Sequence, residues 1–312
     1  TPPAAAAPPP APTPPRRRSG WLLGFLGGCF VFFGLAVVVV VIAAIASGDS
    51  DRWSAGEKVG VLAIDGEIVE SREIIDRLHD YRDNHAVKAI VVRIDSPGGA
   101  IAPSQEIFEE IRKVRSETGK PVIASIDNVG ASGGYYIAAG CDSIMANPGS
   151  ITGSIGVIAQ WLNYGDLLQW AKLKPETITS GKLKDAGSPY RAISEDEKEY
   201  FRHIVSQLHE QFVNAVTEGR RGKLTREQVV ALADGRAFTG EEARKLHLID
   251  ELGNLQDAIG LAAKKAGIKK HPGVIYPRRN EGGLLEMILG ERLPGALQTL
   301  AGRHDAPFLY RW

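Results

Sequence analysis

Cysteine is nearly missing from this chain of 312 residues, and the little there is cannot cross-link it. Cys29 lies inside a long apolar run and Cys141 far outside it. The two cannot pair within one chain, so a packed core rather than a disulfide must hold the fold. The seven histidines are scattered, with no HxxxH or CxxC spacing, so no metal centre is expected. His203 and His209 fall on a predicted long helix as ordinary helix residues. Excess charge is missing too. The 37 basic and 37 acidic residues cancel and are interspersed, which excludes the concentrated basic face of a nucleic-acid-binding protein. No internal repeat is found, and no motif asks for a cofactor.

What the chain does have is one long apolar segment. From Trp21 to Ser47 there is no charged residue, a run longer than the roughly 20 residues that cross a bilayer as a helix. Ala44-Ile45-Ala46 has the small-x-small form of a signal cleavage site, but the run greatly exceeds the core of about 7–15 residues typical of a cleaved signal. The segment 21–47 is therefore predicted to be an uncleaved transmembrane helix in contact with membrane lipid. Arg16, Arg17 and Arg18 precede it. By the positive-inside rule the N-terminus stays in the cytoplasm and everything after residue 50 lies outside. Residues 1–20 read as a Pro/Ala-rich disordered tail, residues 48–56 as a polar linker, residues 57–272 as the main domain, and residues 273–312 as a C-terminal extension. In that extension Leu284, Leu285, Ile288 and Leu289 are apolar enough to cover a neighbour or a groove.

Past the linker, strands and helices alternate. Apolar runs at 59–64, 89–94, 121–126 and 143–146 predict strands, and residues 71–84, 103–117 and 132–140 predict helices between them. This order defines right-handed βαβ units on a parallel sheet flanked by helices. A further strand is predicted at 176–179. A long helix follows over 194–219, opened by a Ser194/Glu197 capping box and stopped by Gly219 and Gly222. Shorter helices follow at 225–233, from Thr239 and over 254–266.

In such sheets functional groups gather at the carboxyl ends of the strands, and two glycine-rich segments lie there. Asp95-Ser96-Pro97-Gly98-Gly99 ends one strand, and Gly130-Ala131-Ser132-Gly133-Gly134-Tyr135-Tyr136 joins a strand to a helix. Ser132 at that helix start is either a plain N-cap or a nucleophile whose oxyanion partners are the N–H of Gly133 and one from Gly98-Gly99. A serine nucleophile needs a base. No histidine motif accompanies it, but Gly181-Lys182-Leu183-Lys184-Asp185 brings two lysines. A lysine takes a proton only when neutral, which calls for desolvation. Spacing alone does not choose between Lys182 and Lys184. Thr152-Gly153-Ser154-Ile155-Gly156 supplies a further hydroxyl, Ser154, able to hold the amine.

Together these motifs resemble the signal peptide peptidase A family of membrane-anchored serine proteases, the S49 peptidases, in their short single-domain form. The resemblance runs from about Lys58 to Ile268 and rests on DSPGG at 95–99, ASGGYY at 131–136, TGSIGV at 152–157, SGKLKD at 180–185 and GRAFTGEEARKLHLID at 235–250. It implies a ClpP/crotonase-like α/β fold and a Ser/Lys dyad. Ser132 takes the nucleophile position, Lys184 the general base, Ser154 the lysine-positioning hydroxyl, and Gly99 and Gly133 the oxyanion hole. The implied substrates are released signal peptides and misfolded exported proteins. Also implied are a plasma-membrane location with the catalytic domain outside, and homo-oligomers whose active sites are shared between adjacent subunits. One departure is visible: His247 stands where the family usually has glycine. Two other readings compete. A crotonase-type acyl-CoA enzyme would share the paired oxyanion loops but need no lysine dyad. An inactive membrane scaffold would have lost Ser132 or Lys184, and neither is lost.

Overall fold

The computed structural model describes residues 56–269 and 271–276, the backbone of residues 308–311, and helical residues 32–35 and 37. The chain divides into two units, 1–55 and 56–312. Apart from those five helical residues, the predicted span at 21–47 lies outside the described residues, as do the N-terminal tail and Leu284 to Leu289. Among the described residues no helix is long and apolar enough to cross a membrane.

The second unit is built on a mostly parallel sheet flanked by helices. The chain runs β1 (Lys58–Asp65), α1 (Arg72–Asp83), β2 (Val87–Ser96), β3 (Gly98–Ala100), α2 (Ile101–Thr118), β4 (Val122–Ala131), α3 (Gly133–Ala139), β5 (Ser143–Ala146), β6 (Ile151–Gly153) and β7 (Ile158–Ala159). It continues through α4 (Gly165–Trp170), α5 (Glu195–Gly219), α6 (Arg226–Leu232), β8 (Ala237–Thr239), α7 (Gly240–Lys245), β9 (Glu251–Leu252), α8 (Leu255–Lys265), β10 (Gly273–Ile275) and β11 (Phe308–Arg311). The main sheet has the order β10-β1-β2-β4-β5-β9, parallel throughout, with β6 joined to the end of β4 and β8 antiparallel to β6. A second, small sheet has the order β3-β11-β7 and is antiparallel.

The β2 run Ala-Ile-Val-Val shows why the sheet is covered on both faces. Ala89 and Val91 face α8 in a cluster with Ala258, Ile259 and Ala262. Ile90, Val92 and Ile94 face the opposite core, with Ile107, Ile111, Tyr135 and Phe212. The capping box at the start of α5 is present, with the Glu197 N–H on Ser194 Oγ and the Ser194 N–H on Glu197.

One expectation is corrected, and one glycine gains a second role. Residues 176–179 form no strand. Thr177-Ile178-Thr179 has strand-like composition, but Ile178 is fully exposed and has no sheet edge to join. Gly219 is the last residue of α5, and its second role is close approach. A Cβ there would collide with the carbonyl oxygen of Ala139, so glycine lets α5 seat against α3.

That seating fixes the helix behind the candidate site. Tyr135 donates to the Leu248 carbonyl at 2.7 Å, and the Tyr136 ring lies 5.0 Å from Phe108 and 4.9 Å from Phe212. Buried Arg220 donates to the His247 carbonyl and, with both Nη atoms, to Asp250 at 2.9 Å. His247 has φ 59°, the left-handed region that favours glycine, which accounts physically for the glycine expected there. Burial alone would raise the Asp250 carboxyl, but hydrogen bonds and charge from Arg220, with Lys223 and the Ile144 N–H, hold it at about 2. Its folded value lies below the ordinary 3.8, so its contribution is full above that pH and is lost as pH falls toward 2. Asp250→Asn should remove about 2 kcal/mol of stability at neutral pH and flatten the acid limb of a stability–pH curve measured by urea unfolding. An unchanged acid limb would count against this anchor.

Candidate active site

The site forms where β2, β4 and β6 end. β4 runs to Ala131 and α3 begins at Gly133, so Ser132 alone makes the turn between them. Its backbone has φ 53° and ψ −116°, a conformation that costs a residue with a Cβ on the order of 1–3 kcal/mol. The Ser132 N–H is held by the Gly153 carbonyl at 2.8 Å, and its carbonyl accepts the Tyr136 N–H.

The side chain argues against a cap. Ser132 makes no side-chain hydrogen bond to α3, is wholly buried, and its Oγ has no partner among the described residues. An unpaired buried hydroxyl costs about 1–3 kcal/mol. A strained backbone and an orphaned hydroxyl on one residue are the mark of a reactive group. Glycines two residues either side make room for the sharp turn. A Cβ on Gly130 would meet Ile126 at 2.7 Å, and one on Gly134 would stand 3.0 Å from the Ser96 carbonyl oxygen. In the sequence, this bracketing of the serine signals a sharp strand-to-helix turn, though not the strain at Ser132 itself.

The two proposed oxyanion segments touch. A Cβ on Gly133 would lie 2.6 Å from Ser104 Oγ, 3.2 Å from Gly98 Cα and 3.3 Å from Gly99 N. A Cβ on Gly99 would collide with the Ile68 backbone. Three groups that composition did not single out brace β3. The Ile68 N–H donates to the Gly98 carbonyl at 2.9 Å, the Ile68 carbonyl accepts the Ala100 N–H at 2.7 Å, and Ser96 Oγ accepts the Gly98 N–H at 3.1 Å. Ser154 follows Gly153 directly, so the strand pairing that holds Ser132 also delivers Ser154 to the site. Ser154 is buried, with φ 50°, and its N–H is fixed on the Arg236 carbonyl at 2.9 Å.

The lysine loop is different. Lys184 is exposed, and no hydrogen bond links it to Ser132 or Ser154 within the chain. Lys182 is exposed and paired with Asp196, and that hydrogen bond raises its amine further. The structure therefore brings together Ser132, Ser154, Gly99 and Gly133, and leaves Lys184 at the surface. Cys141 is no rival nucleophile: burial pushes its thiol up.

β11 crosses this site. Its backbone pairs antiparallel with β3 on one side, Tyr310 opposite Gly99 and Arg311 opposite Gly98, and with β7 on the other. An extended stretch of the chain thus lies in the slot between β3 and β7.

A buried, strained serine between paired glycine loops at the carboxyl edge of a parallel α/β sheet is compatible with a serine-type peptidase, and the class itself is shown by the relatives of the chain. The model of peptidase family S49 matches residues 114–269, the stretch that holds Ser132, Ser154 and Lys184. A Synechocystis protein provisionally named a protease is 40% identical over 218 residues, covering 70% of this chain and 77% of that protein. An Enterococcus faecium protein provisionally named signal peptide peptidase is 32% identical over 256 residues, covering 78% and 73%. A Methanocaldococcus jannaschii protein provisionally named a protease is 30% identical over 253 residues, covering 76% and 80%. The chain belongs to peptidase family S49.

Proposed function

We propose that this S49 peptidase is a membrane-anchored endopeptidase of ClpP/crotonase-like fold with a Ser132/Lys184 dyad completed between adjacent subunits. The observation that carries it is the split between its parts: a buried Ser132 Oγ without a partner and, in the same chain, an exposed Lys184. Lys184 of a neighbouring copy, its amine unprotonated and held by Ser154, takes the Ser132 proton. Oγ attacks the peptide carbonyl carbon, and the N–H groups of Gly99 and Gly133 receive the negative oxygen. Lys184 then passes the proton to the leaving amine, and water releases the acyl group.

Two features support the assembly and the substrate. Ile158, Leu162, Leu167, Trp170 and Leu173, in the segment leading to the lysine loop, are exposed, as apolar side chains at a subunit contact are before assembly. The slot between β3 and β7 already accepts an extended backbone, the form in which a sheet edge takes a peptide. A substrate entering there displaces the chain's own segment. Signal-peptide remnants and unfolded exported proteins supply extended apolar chains of this kind, and residues 21–47 would hold the enzyme beside them in the plasma membrane. Protease added to intact spheroplasts should then digest the catalytic unit, and protection until lysis would refute this orientation.

Complementation tests the shared site. Ser132→Ala and Lys184→Ala proteins, each inactive, should regain part of the activity when unfolded together and co-assembled. Some junctions then join an intact serine to an intact lysine. Proven mixed oligomers that stay inactive would place the dyad within one chain.

A further inference from the structure

The loop that carries Lys184 has little regular structure to hold it. Between Trp170 and Glu195 there is neither strand nor helix, and Lys182, Leu183 and Lys184 are exposed. A base must nevertheless be placed to within a fraction of an ångström, because misplacement by about 1 Å can cost on the order of a hundredfold in rate. The loop's fixed point is Arg191. Its Nη1 and Nη2 form a two-pronged pair with Glu197 at 2.8 and 2.6 Å. The same guanidinium grips Asp185, the residue after Lys184, with Nε on Oδ2 at 3.3 Å, Nη2 near Oδ1 at 3.1 Å and Nη2 on the main-chain carbonyl at 3.4 Å.

Glu197 is the rigid end of this linkage. It is the third residue of α5, its side chain is only 3% exposed, and it accepts the Ser194 N–H at 2.7 Å. The Arg191 hydrogen bonds first, and then the Ser194 N–H, hold its carboxyl at about 2. Its neighbour Asp196 takes the ammonium of Lys182. The first turn of α5 thus sorts the loop. Asp196 ties down one lysine, and Glu197, through Arg191, fixes the residue beside the other without occupying it.

We infer that Arg191 is a positioning residue for the base, transmitting the place of α5 to Lys184 through Asp185. This rests on the reading of Lys184 as the base. An ion pair that only stabilises the loop would act differently, and the double variant separates the two roles. Arg191→Ala strands the buried Glu197 carboxylate, and adding Glu197→Gln removes that stranded charge.

The test is peptide turnover by the full-length, assembled enzyme, with thermal unfolding measured alongside. Arg191→Ala should lower kcat on the order of ten- to a hundredfold while KM stays within about twofold. In Arg191→Ala/Glu197→Gln the unfolding midpoint should recover while kcat stays low. Arg191→Lys should restore kcat only in part, because an ammonium cannot make the planar two-pronged pair, and this variant serves if the double variant fails to fold. Wild-type kcat in Arg191→Ala or Arg191→Lys, or recovery of kcat together with stability in the double variant, would overturn the inference. Lys184→Ala is the control. If it is inactive while Arg191→Ala is normal, the base reading stands and the positioning role falls. If Lys184→Ala is active, both fall.

Discussion

Ser132→Ala should abolish peptide hydrolysis without lowering the stability of the fold. Turnover should drop by on the order of 10⁴-fold or more, as when a serine nucleophile is removed elsewhere. The stability half of the prediction is less usual and follows from the geometry. A buried hydroxyl normally repays its burial with a hydrogen bond, so removing it costs stability. Here Oγ has no partner, and alanine relieves an unmet desolvation of about 1–3 kcal/mol. Ser132→Gly should gain further, because φ 53° suits a residue without a Cβ by about 1–2 kcal/mol. An inactive variant with an unfolding midpoint at or above that of the parent is the expected result. A marked loss of stability in Ser132→Ala would mean that the hydroxyl holds the turn as a cap.

The second large effect separates two lysines two residues apart. Lys184→Ala should be as damaging as loss of the serine, because the other lysine of the motif, Lys182, is tied to Asp196. Lys182→Ala should change turnover only a few-fold, since its ammonium is paired with Asp196 at an exposed position where such pairs contribute little. That pairing also raises the Lys182 amine, the wrong direction for a base. Purified variants assayed on one peptide at matched oligomer concentration decide the matter, and the reverse ranking would exchange the two assignments.

Much of the fold is legible in sequence because several physical signals coincide. β1, β2, β4 and β5 are apolar runs of strand length, and the run through Ala89–Val92 could only be a strand buried on both faces. Ser194 and Glu197 announce the start of α5 by their spacing alone. What escaped depends on partners distant in sequence. Thr177-Ile178-Thr179 has the composition of a strand but no edge to pair with. β11 is a strand only because β3 and β7, well over a hundred residues earlier, flank it. Gly219 reads only as a helix stop until Ala139 is placed against it.

The site divides in the same way. Ser132, Gly99 and Gly133 were visible as a serine and glycines at strand ends, but the strain at Ser132 and its orphaned hydroxyl were not. Both depend on β6 pairing with the end of β4. Glu197 carried only the signature of a cap and Arg191 no signal at all, because the grip on Asp185 appears once the loop closes onto α5.

The most direct test of the central claim is to treat the assembled enzyme with a serine-directed phosphonate and locate the adduct by mass spectrometry of its peptides. Among the described residues, Ser132 combines the strained turn, the unpartnered buried hydroxyl and the close flanking glycines. The account predicts a single adduct on the peptide containing Ser132, formed in proportion to lost activity and absent from Lys184→Ala. Full inactivation with the adduct on another residue, or with Ser132 unmodified, would contradict it.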